Sequence, residues 1–149
     1  MRAVIQRVNH CRLEVEAKVV SEIESGLLIL LGIEEVDEKA DADWLAAKIA
    51  NLRIFADQNG VMNESAIDQN KEMMVVSQFT LHASTKKGNR PSYIRAARPE
   101  KAEPLYQYFT QKMKETGCKT VNGIFGADMQ IRFTNDGPVT IIIDSRNKE

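Results

Sequence analysis

Apolar and polar residues alternate from Arg2 to His10, with Ala3, Ile5 and Arg7 on one side of an extended chain and Val4, Gln6 and Val8 on the other. Leu13, Val15, Val19 and Ile23 continue at mostly even steps, so this region predicts two strands or one long bent hairpin. Gly26 interrupts the pattern ahead of residues 27–33, an apolar run of the kind found in a central strand. The period then changes. Ala40, Trp44, Leu45, Ile49 and Leu52 recur at helical spacing, and Asp37 predicts the N-cap of a helix running through Asn51. Residues 53–56 are short and strand-like, DQNG at 57–60 is a turn signal, and 63–71 is polar without a clear period. Pro99 suits the first turn of a second helix, whose apolar face is Ala102, Leu105, Tyr106, Phe109 and Met113, with Gly117 as its stop. Strand-like stretches close the chain at 121–125, 130–134 and 139–143. Between the last two, Asn135-Asp136-Gly137-Pro138 reads as a hairpin signal. Pro138 cannot donate to a sheet ladder, so an ordinary type I′ turn is excluded and a special backbone is expected.

Sequential hairpins with isolated helices predict an α+β fold: a largely antiparallel, barrel-like sheet with two main helices packed outside it. No repeat, low-complexity segment or linker divides residues 1–149, so a single domain is expected. A chain of this length can bury about two-thirds of its unfolded surface.

The densest chemistry lies at 73–83, MMVVSQFTLHA. Met73 to Val76 predict a strand covered on both faces. If that strand continues, Ser77, Phe79 and Leu81 share one face and Gln78, Thr80 and His82 the other, so two polar sets meet at a strand end. Such a strand end suggests a pocket. The alternative is that Ser77 and Thr80 are ordinary strand or turn residues and His82 a solvated tip. Thr80 and His82 also resemble a nucleophile and its base. Residues i and i+2 of a strand are ~7 Å apart, however, and the sequence offers no obvious acid to orient the ring.

Composition narrows the field. Hydrophobic residues at 43% and charged ones at 28% describe a globular chain, without a run of the ~18 apolar residues that a membrane span requires. A cytoplasmic protein is expected. Cys11 and Cys118 are too few for a disulfide framework. The His10-Cys11 pair lacks companions for a metal site, so neither metal nor cofactor is expected. The net charge of −1 conceals an uneven distribution: between Ser84 and Lys101 six basic residues face Glu100 alone, a local +5 that leaves the rest at −6. Lys86, Lys87 and Arg90 follow the reactive cluster directly. They are candidate phosphate contacts, or simply a solvated loop.

Four blocks, SQFTLHA at 77–83, KGNRPSY at 87–93, GIFGADM at 123–129 and NDGPVTI at 135–141, resemble those of the D-aminoacyl-tRNA deacylase family in order and spacing. The opening RAVIQRV and the LLILLGI run also fit. His82 departs from the Tyr more often found there. The resemblance implies a homodimer that hydrolyses the ester between a D-amino acid, or glycine, and the acceptor end of tRNA. It implies that Ser77, Gln78, Phe79 and Thr80 line the ester pocket. It further implies that Gly137 and Pro138 form a cis Gly-Pro unit inserted into the partner subunit's site, with Arg7 helping to fix it. An aminoacyl ester is already activated, and the substrate's own ribose hydroxyl can assist attack. The protein would then chiefly orient the ester and stabilise the oxyanion, for which the amides near Phe79 and Thr80 are candidates. Two rivals stand beside this expectation: a small-ester hydrolase using Thr80 as nucleophile, and a non-catalytic nucleic-acid-binding module.

Overall fold

The computed structural model describes residues 1–148. In chain order its elements are β1 (Arg2–Val15), β2 (Lys18–Ile23), β3 (Gly26–Gly32), α1 (Lys39–Ala50), β4 (Phe55–Ala56), β5 (Met62–Glu64), β6 (Glu72–Ser77), a 3-10 turn (Phe79–His82), α2 (Pro99–Glu115), β7 (Thr120–Asn122) and β8 (Gln130–Asp144). Strand β1 is paired along both edges. One edge meets β2 and β3 in succession and the other meets β8, all antiparallel. The sheet then continues from β3 to β6 to β7 through parallel pairs, and β4 and β5 form a small separate hairpin.

The expected fold class is therefore present, with two parallel pairings that the sequence pattern did not reveal. Parallel neighbours need long crossovers, and α1 and α2 lie within the two that are required. Both helices pack on one side of the sheet. There α1 contributes Leu45 and Ile49, and α2 contributes Leu105, Tyr106, Phe109 and Met113, to a cluster with Ala3, Ile5, Leu27, Ile29, Met73 and Val75. The curled sheet closes over a second cluster built from Val8, Cys11, Leu13, Ile23, Leu28, Met74 and Val76. Successive residues of β6 thus feed opposite cores, which is why four apolar residues run together there.

Local details correct three sequence expectations. Helix α1 is capped by Glu38, not Asp37: Glu38 and Asp41 form a capping box. The Asp37 carboxylate is buried and already occupied, 2.5 Å from the Met1 amino nitrogen and 2.7 Å from the Glu34 amide. The buried face of α1 is Ala42, Leu45, Ala46, Ile49 and Ala50, while Ala40 is exposed in the first turn. At the C-terminal end there is no hairpin. Both halves of β8 pair with the same strand β1, and the register jumps from Gln6↔Thr140 to Val8↔Asn135, so residues 136–139 bulge out opposite Arg7. Helix α2 begins at Pro99 and is followed by Gly117 at φ 88°, as its sequence predicts.

Burial pushes the Tyr106 phenol from its ordinary 10.0 up to about 12 and the Cys11 thiol from 9.0 to about 12. A raised pKa contributes stability below the unfolded value that is lost as pH rises towards the folded one. Denaturant midpoints are therefore expected to fall between about pH 9 and 12. Tyr106→Phe should flatten the fall above pH 10 while costing about 1 kcal/mol at neutral pH through the lost bond to the Val75 carbonyl. Equal alkaline slopes for wild type and variant would contradict this assignment.

Candidate functional site

Strand β6 ends where its register with β3 ends, at the Leu31↔Ser77 pair. The Gln78 amide still donates to the Leu31 carbonyl at 2.7 Å, and then the chain turns, with Leu81 N–H reaching the Gln78 carbonyl and Ala83 N–H that of Thr80. The expected alternation of residues 77–82 along a strand is overturned. The 3-10 turn swings Phe79 outward, 57% exposed, and His82 inward, fully buried. Gly32 makes room for that ring: a Cβ there would lie 2.9 Å from its Cδ2 and Nε2 atoms. His82 is therefore no solvated tip. The acid that the sequence did not disclose is Glu34, whose Oε1 lies 3.1 Å from His82 Nδ1 and 3.2 Å from Arg95 Nε.

A cavity of about 600 Å³ opens beside this turn. Leu31, Ile33 and Val76 give it an apolar base, and Ser77, Gln78 and Phe79 form one wall. Tyr93 and residues 96–99 form a second, and Phe125, Gly126, Ala127, Asp128 and Met129 a third. The rings of Phe79 and Tyr93 meet edge to face with centroids 5.0 Å apart. Thr80 does not line the cavity: its hydroxyl accepts a 2.6 Å bond from Gln78 Nε2. Because the first bond of the 3-10 turn starts at Leu81, the amides of Phe79 and Thr80 precede its own hydrogen bonding. The third wall was not identified as such from the sequence, although GIFGADM falls there. The sequence reads 121–125 as a strand, but β7 stops at Asn122, and the chain turns through Phe125 and Gly126, whose φ is 76°.

Gly137 and Pro138 are exposed on the β8 bulge, joined by a cis peptide bond, and do not line this cavity. Arg7 braces the bulge: Nε lies 2.9 Å from Asp136 Oδ2, and Nη1 donates to the Ile54 carbonyl at 2.5 Å. Gly137 has a φ of 115°, and a Cβ on it would lie 2.9 Å from Arg7 Nη2. Asn135 spans the bulge, accepting from Val139 N–H at 3.0 Å. Lys86, Lys87 and Arg90 are exposed on a loop whose base is closed by reciprocal Ser84 and Ser92 backbone bonds. Among the described residues no group of three His, Cys, Asp or Glu side chains could hold a metal ion. Nor is any helix long and apolar enough to cross a membrane.

The fold, a mixed sheet with two helices on one side, also occurs in known proteins. Residues 4–144 match the model of the family described as D-Tyr-tRNA(Tyr) deacylase. A D-aminoacyl-tRNA deacylase of Flavobacterium psychrophilum is 59% identical, and one of Parabacteroides distasonis 57%, each over the full length of both chains. Among solved structures, one described as c-Myc DNA Unwinding Element Binding Protein superimposes with a TM-score of 0.91 at 38% identity, covering 97% of this chain and 98% of that one. A second, described as a probable eukaryotic D-amino acid tRNA deacylase, has a TM-score of 0.82 at 15% identity and shows the shared fold, covering 95% and 97%. The chain belongs to the D-Tyr-tRNA(Tyr) deacylase family.

The double anchorage of Arg7 yields a test of the bulge. One ammonium cannot replace a guanidinium that holds Asp136 and the Ile54 carbonyl through different nitrogens. Arg7→Lys is expected to speed amide exchange at Asp136, Gly137, Val139 and Thr140 at least tenfold while the exchange of β3 and β6 is unchanged. Unchanged exchange in the bulge would show that Arg7 does not fix it.

Proposed function

We propose that this chain hydrolyses the ester of a D-aminoacyl-tRNA in the cavity at the end of β6, releasing the D-amino acid and tRNA. The activity rests on family membership, full-length relatives at 57–59% identity carrying that name. The location rests on one observation above all: Ser77, Gln78 and Phe79 stand together on the wall of an apolar-based cavity large enough for an aminoacyl-adenosine end. Neither the small-ester hydrolase nor the non-catalytic binding module is favoured. Thr80 is turned into a bond with Gln78, off the cavity lining, and the name of the 38% identical structure describes that protein alone.

In this reading the pocket aligns the ester, Ser77 and Gln78 hold the terminal adenosine, and the amides of Phe79 and Thr80 stabilise the oxyanion. The substrate's own ribose hydroxyl assists the attack of water. Two copies act as a homodimer in the cytoplasm, each as a single unit of residues 1–149. Gly137 and Pro138 of one copy enter the pocket of the other and offer backbone carbonyls to the substrate's α-ammonium, with Arg7 and Asp136 holding the bulge from behind. Their exposure, and their absence from the cavity of their own chain, support a role across the interface. With ammonium and ester both fixed, a D side chain points outward and an L side chain runs into backbone, so selection works by exclusion. Glycine passes. No metal or cofactor takes part in this scheme. Lys86, Lys87 and Arg90 meet acceptor-stem phosphates.

Incubation with D-aminoacyl-, L-aminoacyl- and glycyl-tRNA and with a free D-amino acid ester tests the proposal. Release from the D- and glycyl-tRNA alone is expected, while equal turnover of the L-form or the free ester would contradict it. Thr80→Ala should keep activity within about tenfold, because its hydroxyl does not carry the covalent step. A loss of about a thousandfold with folding intact would make it a nucleophile. Replacing Lys86, Lys87 or Arg90 by Ala should raise KM and flatten its salt dependence without altering D/L selectivity. An unchanged salt slope would return these residues to the role of a solvated loop.

A further inference from the structure

We infer that Glu34 is a positioning residue for the pocket, one carboxylate that ties two of its walls together through His82 and Arg95. The inference rests on the proposed deacylation at this cavity and concerns a residue outside it. Glu34 lies just beyond β3, and its side chain is 18% exposed. Its Oε1 faces both His82 Nδ1 at 3.1 Å and Arg95 Nε at 3.2 Å. His82 ends the 3-10 turn that carries Phe79, and Arg95 lies two residues after Tyr93, the ring that Phe79 meets. The backbone adds to the tie: Glu34 bridges Ala96, and Ala97 N–H donates to the Ile33 carbonyl at 2.9 Å.

The physical need for the carboxylate comes from His82. Its ring is fully buried and packed against Gly32, and Glu34 is the charged group facing it directly. Arg2, itself paired with Asp144, holds the adjacent Leu81 carbonyl at 2.8 Å, so two contacts hold this end of the turn, one at the Leu81 backbone and one at the His82 ring. Neither ring nitrogen makes a hydrogen bond among the described residues, so the carboxylate 3.1 Å from Nδ1 is the polar group that compensates their burial, and without it the ring is expected to shift. The turn would follow, carrying Phe79 and the amides proposed to face the oxyanion. Misplacement by about 1 Å at a reacting centre can cost about a hundredfold in rate. Arg95, 53% exposed, would lose the same contact, loosening the Tyr93 side.

The test compares Glu34→Ala, Glu34→Gln and His82→Asn with wild type by steady-state kinetics on D-aminoacyl-tRNA and by amide exchange. Glu34→Ala should lower kcat about ten- to a hundredfold with KM changed less than about threefold. Glu34→Gln, which keeps an acceptor oxygen, should recover to within about threefold of wild type. Adding His82→Asn to Glu34→Ala should cost little beyond Glu34→Ala alone, since both changes break one contact. Amide exchange at residues 79–83 should quicken at least tenfold in Glu34→Ala, with β1 and β3 unchanged. If wild type deacylates and Glu34→Ala keeps full kcat, or if exchange at 79–83 is unaltered, the inference is overturned while the deacylase reading stands. A wild-type protein without deacylase activity would overturn the functional reading, and the exchange measurement would still decide whether Glu34 holds the turn. Equal protection at residues 79–83 in Glu34→Ala and wild type would reject that role.

Discussion

The pairing of β1 along both of its edges is the constraint on which the rest of this structure depends. On one side it fixes β3, and β3 fixes β6 by parallel register, so the position of Ser77 and the turn beyond it is set by hydrogen bonds that begin at Arg2↔Gly32. On the other side it fixes β8. There the two halves of β8 keep their own registers, and the mismatch between them is expelled as the bulge at residues 136–139. Arg7 sits opposite that bulge and ties it down. The cavity and the Gly-Pro unit are thus separate features, each placed by a different edge of one strand.

The proposed reaction asks little of ionisable side chains, and the cavity has few. Polar backbone is costly to bury unless it is bonded, and the end of a central strand is a place where unspent amides meet an apolar floor. The break after Ser77 supplies such amides, and the two flanking clusters supply the floor and the rigidity behind it. Aromatic edge-to-face contact between Phe79 and Tyr93 then closes the rim.

Much of this was legible in the residue pattern, and the parts that were not share a physical reason. Period-2 alternation and the run at 73–76 placed the strands, and Pro99 and Gly117 marked the ends of α2, because these signals act within a few residues. The parallel pairing of β3 with β6 joins segments about forty residues apart, with no local signature. The alternation of residues 77–82 was misleading, since a 3-10 turn and a strand can carry the same polar residues. Their difference lies in Gly32, whose missing side chain admits the His82 ring from the turn beyond β6. Asn135-Asp136-Gly137-Pro138 has the composition of a hairpin turn but lies within a strand whose two halves share one partner. Asp37 has the composition of a cap but is occupied by Met1. In each case a tertiary contact overrode a correct local preference. Ser77, Gln78 and Phe79 stood out as candidates because a polar cluster follows an apolar run, whereas Phe125 was read as part of a strand that stops at Asn122.

The central claim is that the bulge of one copy completes the pocket of another. It is tested most directly by complementation within a mixed dimer. Chains carrying Gly137→Val with Pro138→Ala, which lack the screening unit, would be co-expressed with chains disabled at Gln78 and Phe79, and the mixed dimer isolated through two different tags. Each parent should be dimeric, folded and inactive. The mixed dimer is expected to regain about half of wild-type activity and to remain selective for D-aminoacyl-tRNA, because one intact pocket receives one intact Gly-Pro unit. A mixed dimer as inactive as its parents would contradict the account and place Gly137 and Pro138 outside the partner's site.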